Sequence, residues 1–142
     1  MNISKFTQKS VEILNNLEKI AYDFGAQEIA QEHLLYGMLT VEDSLIKKLI
    51  EKMEIDSDVF LAQVEGAVRK RPQVQGGQVY IGQDLNKVLV YAENEAKALG
   101  DEYVSVEHLF LSLLRKPSKE IKQLFHDFQI DRERFFKGGD FF

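Results

Sequence analysis

The sequence predicts an all-α fold of eight helices, built from two four-helix repeats related by a pseudo-two-fold axis. Apolar residues recur at helical spacing, only two prolines interrupt them, and the sequence repeats itself. Residues 31–35 (QEHLL) recur as residues 106–110 (VEHLF), and the same shift of 75 positions aligns residues 6–60 with 81–135 without a gap. Of these 55 pairs, 15 are identical, whereas unrelated segments would share about three or four. The duplication is therefore real.

Four helices are predicted in the first repeat, residues 6–70. The first of them carries two apolar stripes, as expected for a helix buried on more than one side. Gly25 ends it, because glycine readily adopts the left-handed conformation that follows a last helical turn. The second helix is nearly all apolar after its first turn, and Asp56 or Ser57 caps the fourth. The four helices are predicted at residues 5–24, 31–40, 44–53 and 57–70.

A segment of turn-forming residues, 71–80, joins the two repeats, with Pro72 and a pair of glycines that break the helical pattern. The pattern restarts in the second repeat, residues 81–137. Since neither repeat has enough core to fold alone, we expect a single domain over residues 1–142, of which 138–142 begin an exit linker. The helices of the second repeat are predicted at residues 83–99, 106–115, 118–128 and 131–137.

The composition limits the classes of function. The absence of cysteine excludes disulfides, thiolate nucleophiles and zinc–thiolate sites. A net charge of −5 argues against a nucleic-acid partner, which usually meets a basic face. No apolar run approaches the roughly 20 residues that a membrane span needs. We therefore expect a cytoplasmic protein that binds neither nucleic acid nor membrane.

Two histidines, His33 and His108, are related by the repeat, and each follows a glutamate. A zincin-type metal site needs two histidines one helical turn apart, but Gly37 and Ser112 occupy those positions. We therefore predict no metal site. Each histidine is expected to form a local hydrogen bond in the first turn of its helix.

The two glutamates, Glu32 and Glu107, are candidates for a paired-carboxylate acid/base couple. Nothing in the sequence dictates their separation, and they could instead stabilise helix N-termini. The phosphate-loop pattern GxxxxGK[ST] is absent, and no serine or threonine has an obvious base partner. We predict a non-enzymatic domain without a cofactor of its own. Tyr91 and Tyr103 do not fit the inward stripes, so they either line a partner-binding groove or are scattered surface tyrosines.

The repeated motifs resemble the double Clp repeat, the amino-terminal domain of the Clp AAA+ unfoldases. They are residues 32–35 (EHLL) and 105–109 (SVEHL), together with the helix-ending Gly25 and Gly100. Residues 71–74 (RPQV) and the ending at 137–139 (KGG) most resemble the ClpB-type disaggregases.

This resemblance implies a domain that captures unfolded or aggregated polypeptide for threading through a homohexameric AAA+ ring. ATP and magnesium would belong to the ATPase modules of the full-length chain, and adaptor proteins are further candidate partners. The functional polar positions of the family map onto Thr7, Asp101 and Glu107, and its apolar groove onto Tyr91 and His108. Glu95 departs from the family pattern, since an apolar residue is expected there.

An alternative within the same family is a module that docks adaptors or degradation tags for a ClpC- or ClpA-type protease partner. ClpC-type domains receive phosphoarginine near the glutamates that correspond to Glu32 and Glu107. A free-standing enzyme would need a nucleophile–base pair, which the sequence does not contain.

The repeat also suggests that only one surface is competent. Shifting Thr7, Asp101 and Glu107 by 75 positions gives Gly82, Ala26 and Glu32, which retain one of the three polar groups. We therefore expect one binding surface rather than two symmetric ones.

Overall fold

The computed structural model describes residues 3–74 and 76–138, and this part of the chain is all-α. Of the exit linker predicted at residues 138–142, Gly138 belongs instead to the last helix, and residues 139–142 lie outside the described residues. A 3₁₀ helix, Ile3–Lys5, precedes the first α-helix, and two parallel two-residue strands, β1 (Glu28–Ile29) and β2 (Tyr80–Ile81), pair with each other. The α-helices are α1 (Gln8–Asn15), α2 (Leu17–Asp23), α3 (Gln31–Thr40), α4 (Leu45–Lys52), α5 (Ser57–Arg69), α6 (Gln83–Ala98), α7 (Val106–Arg115), α8 (Lys119–Asp127) and α9 (Arg132–Gly138). The predicted fold class is confirmed.

The first predicted helix, residues 5–24, differs from the structure because α1 and α2 are separate segments. The amide of Asn16 donates to the carbonyl oxygen of Ile13 at 3.2 Å, three residues back, which tightens the chain between the two segments. Asparagine side chains compete with the helical backbone for hydrogen bonds, so the pair Asn15 and Asn16 favours a break. The N-terminal end also differs, since Thr7 caps α1 and the helix begins at Gln8.

Each repeat begins by pairing its backbone with the other repeat. Ile81 pairs in parallel with Ile29, and Phe6 pairs in parallel with Val104. These two pairs are equivalent under the 75-residue shift, so the exchange is reciprocal. The repeats are therefore joined about a pseudo-two-fold axis rather than placed side by side.

The turns that end equivalent helices are also equivalent. Gly25 and Gly100 both have φ of 73°, a left-handed conformation that glycine adopts without steric cost. The amide after each glycine bonds five residues back, from Ala26 to Ala21 at 2.8 Å and from Asp101 to Ala96 at 2.9 Å. This is the Schellman pattern predicted from the glycines.

The core is continuous through both repeats, because α3 and α7 lie almost wholly buried at its centre. Phe110 of α7 stacks on Phe135 of α9, with ring centroids 4.9 Å apart. Such packing explains why both copies of the EHL motif are followed by apolar residues. Within residues 3–74 and 76–138, no helix has the length and apolar character that crossing a membrane requires.

A buried glutamine links the two repeats. Gln31, the first residue of α3, donates through Nε2 to the carbonyl oxygens of Asp84 and Lys116, both at 2.9 Å. Its Oε1 accepts from the amide of Ser118 at 2.8 Å. One side chain of repeat 1 therefore satisfies three backbone groups of repeat 2.

Candidate functional site

The pairing of Phe6 with Val104 brings Thr7 against the segment that carries Asp101 and Glu107. The amide of Thr7 donates to the carbonyl oxygen of Val104 at 3.0 Å. Asp101 and Tyr103 are exposed, the latter by 52%, while Thr7 and Glu107 are half-buried. We call Thr7, Asp101, Tyr103 and Glu107 the Thr7 surface. The three polar residues that the family resemblance selected thus lie on segments that meet at Val104.

Thr7 also has a structural role. Its hydroxyl oxygen accepts from the amide of Ser10 at 3.3 Å, which caps α1, and its hydroxyl donates to the Ser10 oxygen at 2.9 Å. The Ser10 hydroxyl in turn donates to the Val104 carbonyl at 3.2 Å. Loss of a capping hydroxyl costs about 1 kcal/mol of stability, so a test of binding at Thr7 must preserve the cap.

His108 is buried and holds Asp101 in place. Its Nδ1 accepts from the amide of Ser105 at 2.8 Å, which an imidazole nitrogen does only when it carries no hydrogen. Nε2 therefore carries the hydrogen and donates to Oδ2 of Asp101 at 2.8 Å. The local hydrogen bond predicted for this histidine is present. Because the side chain is only 3% exposed, His108 acts on the surface through Asp101 rather than as a groove residue.

Tyr91 contacts the residue that follows α7. The Nζ atom of Lys116, which follows α7, lies 4.3 Å from the centre of the Tyr91 ring. Glu107 lies at the other end of α7, nine residues from Lys116, which corresponds to about 14 Å along the helix. The contact of Tyr91 is thus with the end of α7 opposite to Glu107.

Glu95, the departure from the family pattern, is a buried member of an ion-pair network. It accepts from Nε of Arg115 at 2.5 Å and from Nη1 of Arg132 at 2.9 Å. Burial raises the pKa of the Glu95 carboxyl, but the two arginines outweigh it and hold that pKa below its ordinary value. Its charge is thus neutralised inside the fold.

Glu32, the repeat-1 counterpart of Glu107, is only 1% exposed. Nη1 of Arg71 lies 3.7 Å from its carboxylate, and Nη2 of the same arginine lies 3.2 Å from Glu28. Burial raises the pKa of the Glu32 carboxyl, and Arg71 offsets only part of this effect. The guanidinium of Arg71 therefore occupies the position beside Glu32 that the guanidinium of a bound phosphoarginine would need.

The linker covers the rest of the repeat-1 counterpart of the Thr7 surface. Gln73 forms an antiparallel bridge with Ala26, and the amide of Val74 donates to the Gly25 carbonyl at 3.0 Å. By contrast, Asp101, the equivalent of Ala26, is exposed. This role of Arg71 cannot be recognised in the sequence, where an arginine next to a proline in a linker is the only signal for it.

Metal-binding side chains do not cluster in the part of the chain that the structure describes: there, no three histidine or acidic residues could hold an ion together. His33 and His108 each use Nδ1 to accept from the backbone at the start of their helices, at 2.8 Å in both cases. The candidate site is therefore a surface of carboxylates and a tyrosine.

Comparison with known proteins decides the family. Residues 5–128 match the family model described as the Clp repeat (R) N-terminal domain. The chain belongs to this family. This Clp N-terminal domain is 39% identical over 140 residues to the chaperone protein ClpB of Nitratidesulfovibrio vulgaris, with 94% of the chain covered. It is 33% identical over 138 residues to ClpB of Bacillus cereus, again with 94% of the chain covered.

Solved structures agree on the fold. The N-terminal domain of Hsp104 from Candida albicans gives a TM-score of 0.82 at 20% identity, covering 94% of this chain and 88% of that one. A complex of the ClpV N-domain with a VipB peptide gives 0.75 at 19% identity, covering 97% and 91%. The chain spans 16% of the length of the ClpB relatives, so it corresponds to a ClpB-like N-terminal domain of an AAA+ chaperone and contains no ATPase domain.

Proposed function

We propose that this domain captures unfolded or aggregated polypeptide for a ClpB-type disaggregase and passes it to a hexameric AAA+ ring. The observation that supports this proposal is the exposed acidic and aromatic segment beside Thr7, whose repeat-1 counterpart is covered by the linker. The domain itself does no chemistry in this scheme. ATP and magnesium act in the ATPase modules of the longer chain, and adaptor proteins remain candidate partners.

Capture of many sequences requires weak contacts. A Kd between micromolar and millimolar, about −8 to −4 kcal/mol, suits a domain that must also release its substrate. Tyr103 provides apolar contact that does not depend on sequence, while Asp101 and Glu107 favour segments with basic residues. Six copies on flexible linkers would raise the overall avidity by about 10²-fold or more.

The linker suggests how a substrate lies on the Thr7 surface. At repeat 1, an extended segment pairs its backbone with Gly25 and Ala26 and directs Arg71 at Glu28 and Glu32. The equivalent backbone in repeat 2 is exposed at Gly100 and Asp101. An extended substrate segment therefore has an open position of the same shape.

The first test is binding of a fluorescent, permanently unfolded protein to variants of the surface. The double variant Asp101→Ala with Glu107→Gln should bind roughly 2- to 30-fold more weakly, since each exposed charge contributes about 0.2–1 kcal/mol. Asp101→Ala removes the acceptor of His108 Nε2, but repeat 1 carries alanine at the equivalent Ala26 and leaves Nε2 of His33 without a partner among the described residues, so the fold accommodates this arrangement. Thr7→Ser, which keeps the capping hydroxyl, should leave the helical circular dichroism signal unchanged.

A matched control is Asp58→Ala with Glu51→Gln, which removes two exposed acidic residues outside the Thr7 surface. This control should bind as the unchanged domain does. If both double variants weaken binding equally, net charge and not the Thr7 surface governs capture.

The alternative, phosphoarginine recognition for a protease partner, keeps one supporting observation: Arg71 demonstrates that a guanidinium fits against Glu28 and Glu32 in this fold. That position is occupied by the chain itself. Any competition between free phosphoarginine and the unfolded protein should therefore occur at Glu107 and be unchanged by Glu32→Gln. Competition that is abolished by Glu32→Gln would favour the protease-partner function.

A further inference from the structure

Two clefts of nearly equal size lie at equivalent places in the two repeats. One, of about 470 Å³, is lined by the end of α3, by α4 and by the start of α5. The other, of about 460 Å³, is lined by the end of α7, by α8 and by the start of α9. Under the 75-residue shift five lining positions coincide, namely Leu39/Leu114, Thr40/Arg115, Lys47/Lys122, Glu51/His126 and Ser57/Arg132.

The two clefts differ in charge. In repeat 1, Lys47 and Lys48 are balanced by Asp43 and Glu51. In repeat 2, three of the shared positions have become arginine, histidine and arginine, so the lining carries Arg115, Lys122 and Arg132 against Asp131, and the buried Glu95 offsets one of the two arginines. The Oδ1 atom of that aspartate accepts from the amide of Arg134 at 2.8 Å at the start of α9. The repeat-2 cleft is therefore a cationic site on a chain of net charge −5.

A buried carboxylate fixes the two arginines of this cleft. Glu95, 2% exposed, accepts from Nε of Arg115 and from Nη1 of Arg132. Both arginines remain partly accessible, with side chains 49% and 36% exposed. In repeat 1 the residue equivalent to Glu95 is the buried Ile20, which has no charge with which to orient a neighbouring arginine or lysine. Guanidiniums whose orientation is fixed lose less freedom when they bind a carboxylate, and they bind it in paired hydrogen bonds.

We propose that the repeat-2 cleft binds an acidic peptide segment, with carboxylates against Arg115, Arg132 and Lys122 and an apolar side chain against Phe125 and Ile130. The cleft has these apolar residues in its wall as well as its cations, which suits a peptide better than a bare polyphosphate. The net charge of −5 further disfavours a nucleic acid. This site lies at the opposite end of α7 from Glu107 and prefers the opposite charge, so it does not depend on the capture proposal.

The experiment uses two short fluorescent peptides, one alternating glutamate with leucine and one with glutamine in place of glutamate. The whole domain should bind the glutamate peptide about tenfold more tightly at low salt, and the preference should shrink as salt rises. Lys122→Glu should weaken the glutamate peptide by about threefold or more. Lys47→Glu, the same change in the repeat-1 cleft, should have no effect.

A second variant removes the arginines without leaving a buried charge. This triple variant combines Glu95→Gln, Arg115→Thr and Arg132→Ser. It gives the cleft the threonine and serine that repeat 1 carries at the equivalent positions, and it removes the charge of the carboxylate that binds both arginines. It should abolish the preference for glutamate while binding of the unfolded protein at the Thr7 surface persists.

Four outcomes would overturn the proposal. The two peptides could bind equally, or Lys47→Glu could weaken binding as much as Lys122→Glu does. A short oligonucleotide could bind at least as tightly as the glutamate peptide and lose its binding in the same variants. Concentration-dependent self-association that is lost when Glu95→Gln, Arg115→Thr and Arg132→Ser are combined would instead assign the cleft to a second copy of this chain.

Discussion

Replacing Gln31 with valine should lower the free energy of unfolding by about 2–4 kcal/mol, the largest loss that we expect from a single polar side chain. The change leaves the carbonyl groups of Asp84 and Lys116 and the amide of Ser118 without the partner that Gln31 provides. The three hydrogen bonds are half-buried, and each contributes about 0.5–1.5 kcal/mol to stability. Valine is the residue that repeat 2 carries at the equivalent position, Val106, so its size suits the fold. Urea denaturation followed by circular dichroism measures the change.

Gln123→Val is the matched control for this substitution. Gln123 is exposed and donates to Asp127 on its own helix, so its replacement should change stability by no more than about 0.5 kcal/mol. If Gln31→Val also lost less than about 1 kcal/mol, the link between the repeats would not depend on this side chain.

Acidification from pH 6.5 to pH 4 should destabilise the domain by about 3 kcal/mol through His33 alone. Burial, together with the charge of Arg71, lowers the pKa of His33 from 6.5 to about 4. Between these values the unfolded chain binds a proton that the folded chain does not. The stability is therefore complete above pH 6.5 and is lost as the pH falls toward 4.

His33→Gln isolates this effect. Glutamine three residues after the N-cap can accept from the backbone amide of Ala30, as Nδ1 of His33 does at 2.8 Å, but it does not titrate. Between pH 7 and pH 4, the free energy of unfolding should fall by about 3 kcal/mol less in this variant than in the unchanged domain. His126→Gln, at an exposed position, should keep the full pH dependence. An identical pH dependence in the His33 variant would show that other groups cause the acid sensitivity.

The sequence could predict the helices and the core because the same pattern occurs twice. Each copy confirms the spacing of the other, and the glycines at 25 and 100 end equivalent helices with the same φ of 73°. The local hydrogen bonds of His33 and His108 also followed from their positions in a first turn. The break at Asn16 did not, since an apolar pattern that continues through a tight turn looks like one helix.

The asymmetry of the two surfaces could not be predicted fully, because it depends on contacts distant in sequence. The loss of polar groups at Gly82 and Ala26 indicated one competent surface. The stronger cause of the difference between the two surfaces is the linker, which occurs only once in the chain. Its Arg71 forms ion pairs with Glu28 and Glu32 of repeat 1. Likewise, Glu95 departs from the family pattern in the sequence, but only the fold shows that Arg132, 37 residues away, neutralises it.

An NMR titration of this domain with a permanently unfolded protein tests the capture surface most directly. We expect chemical-shift changes at Thr7, Asp101, Tyr103 and Glu107, and none at Ala26 or Glu32, where the linker already lies. A repeat with free phosphoarginine should leave Glu32 unchanged. Equal changes at both sets of residues would contradict the single surface that we propose, and changes confined to residues outside the Thr7 surface would contradict its role in capture.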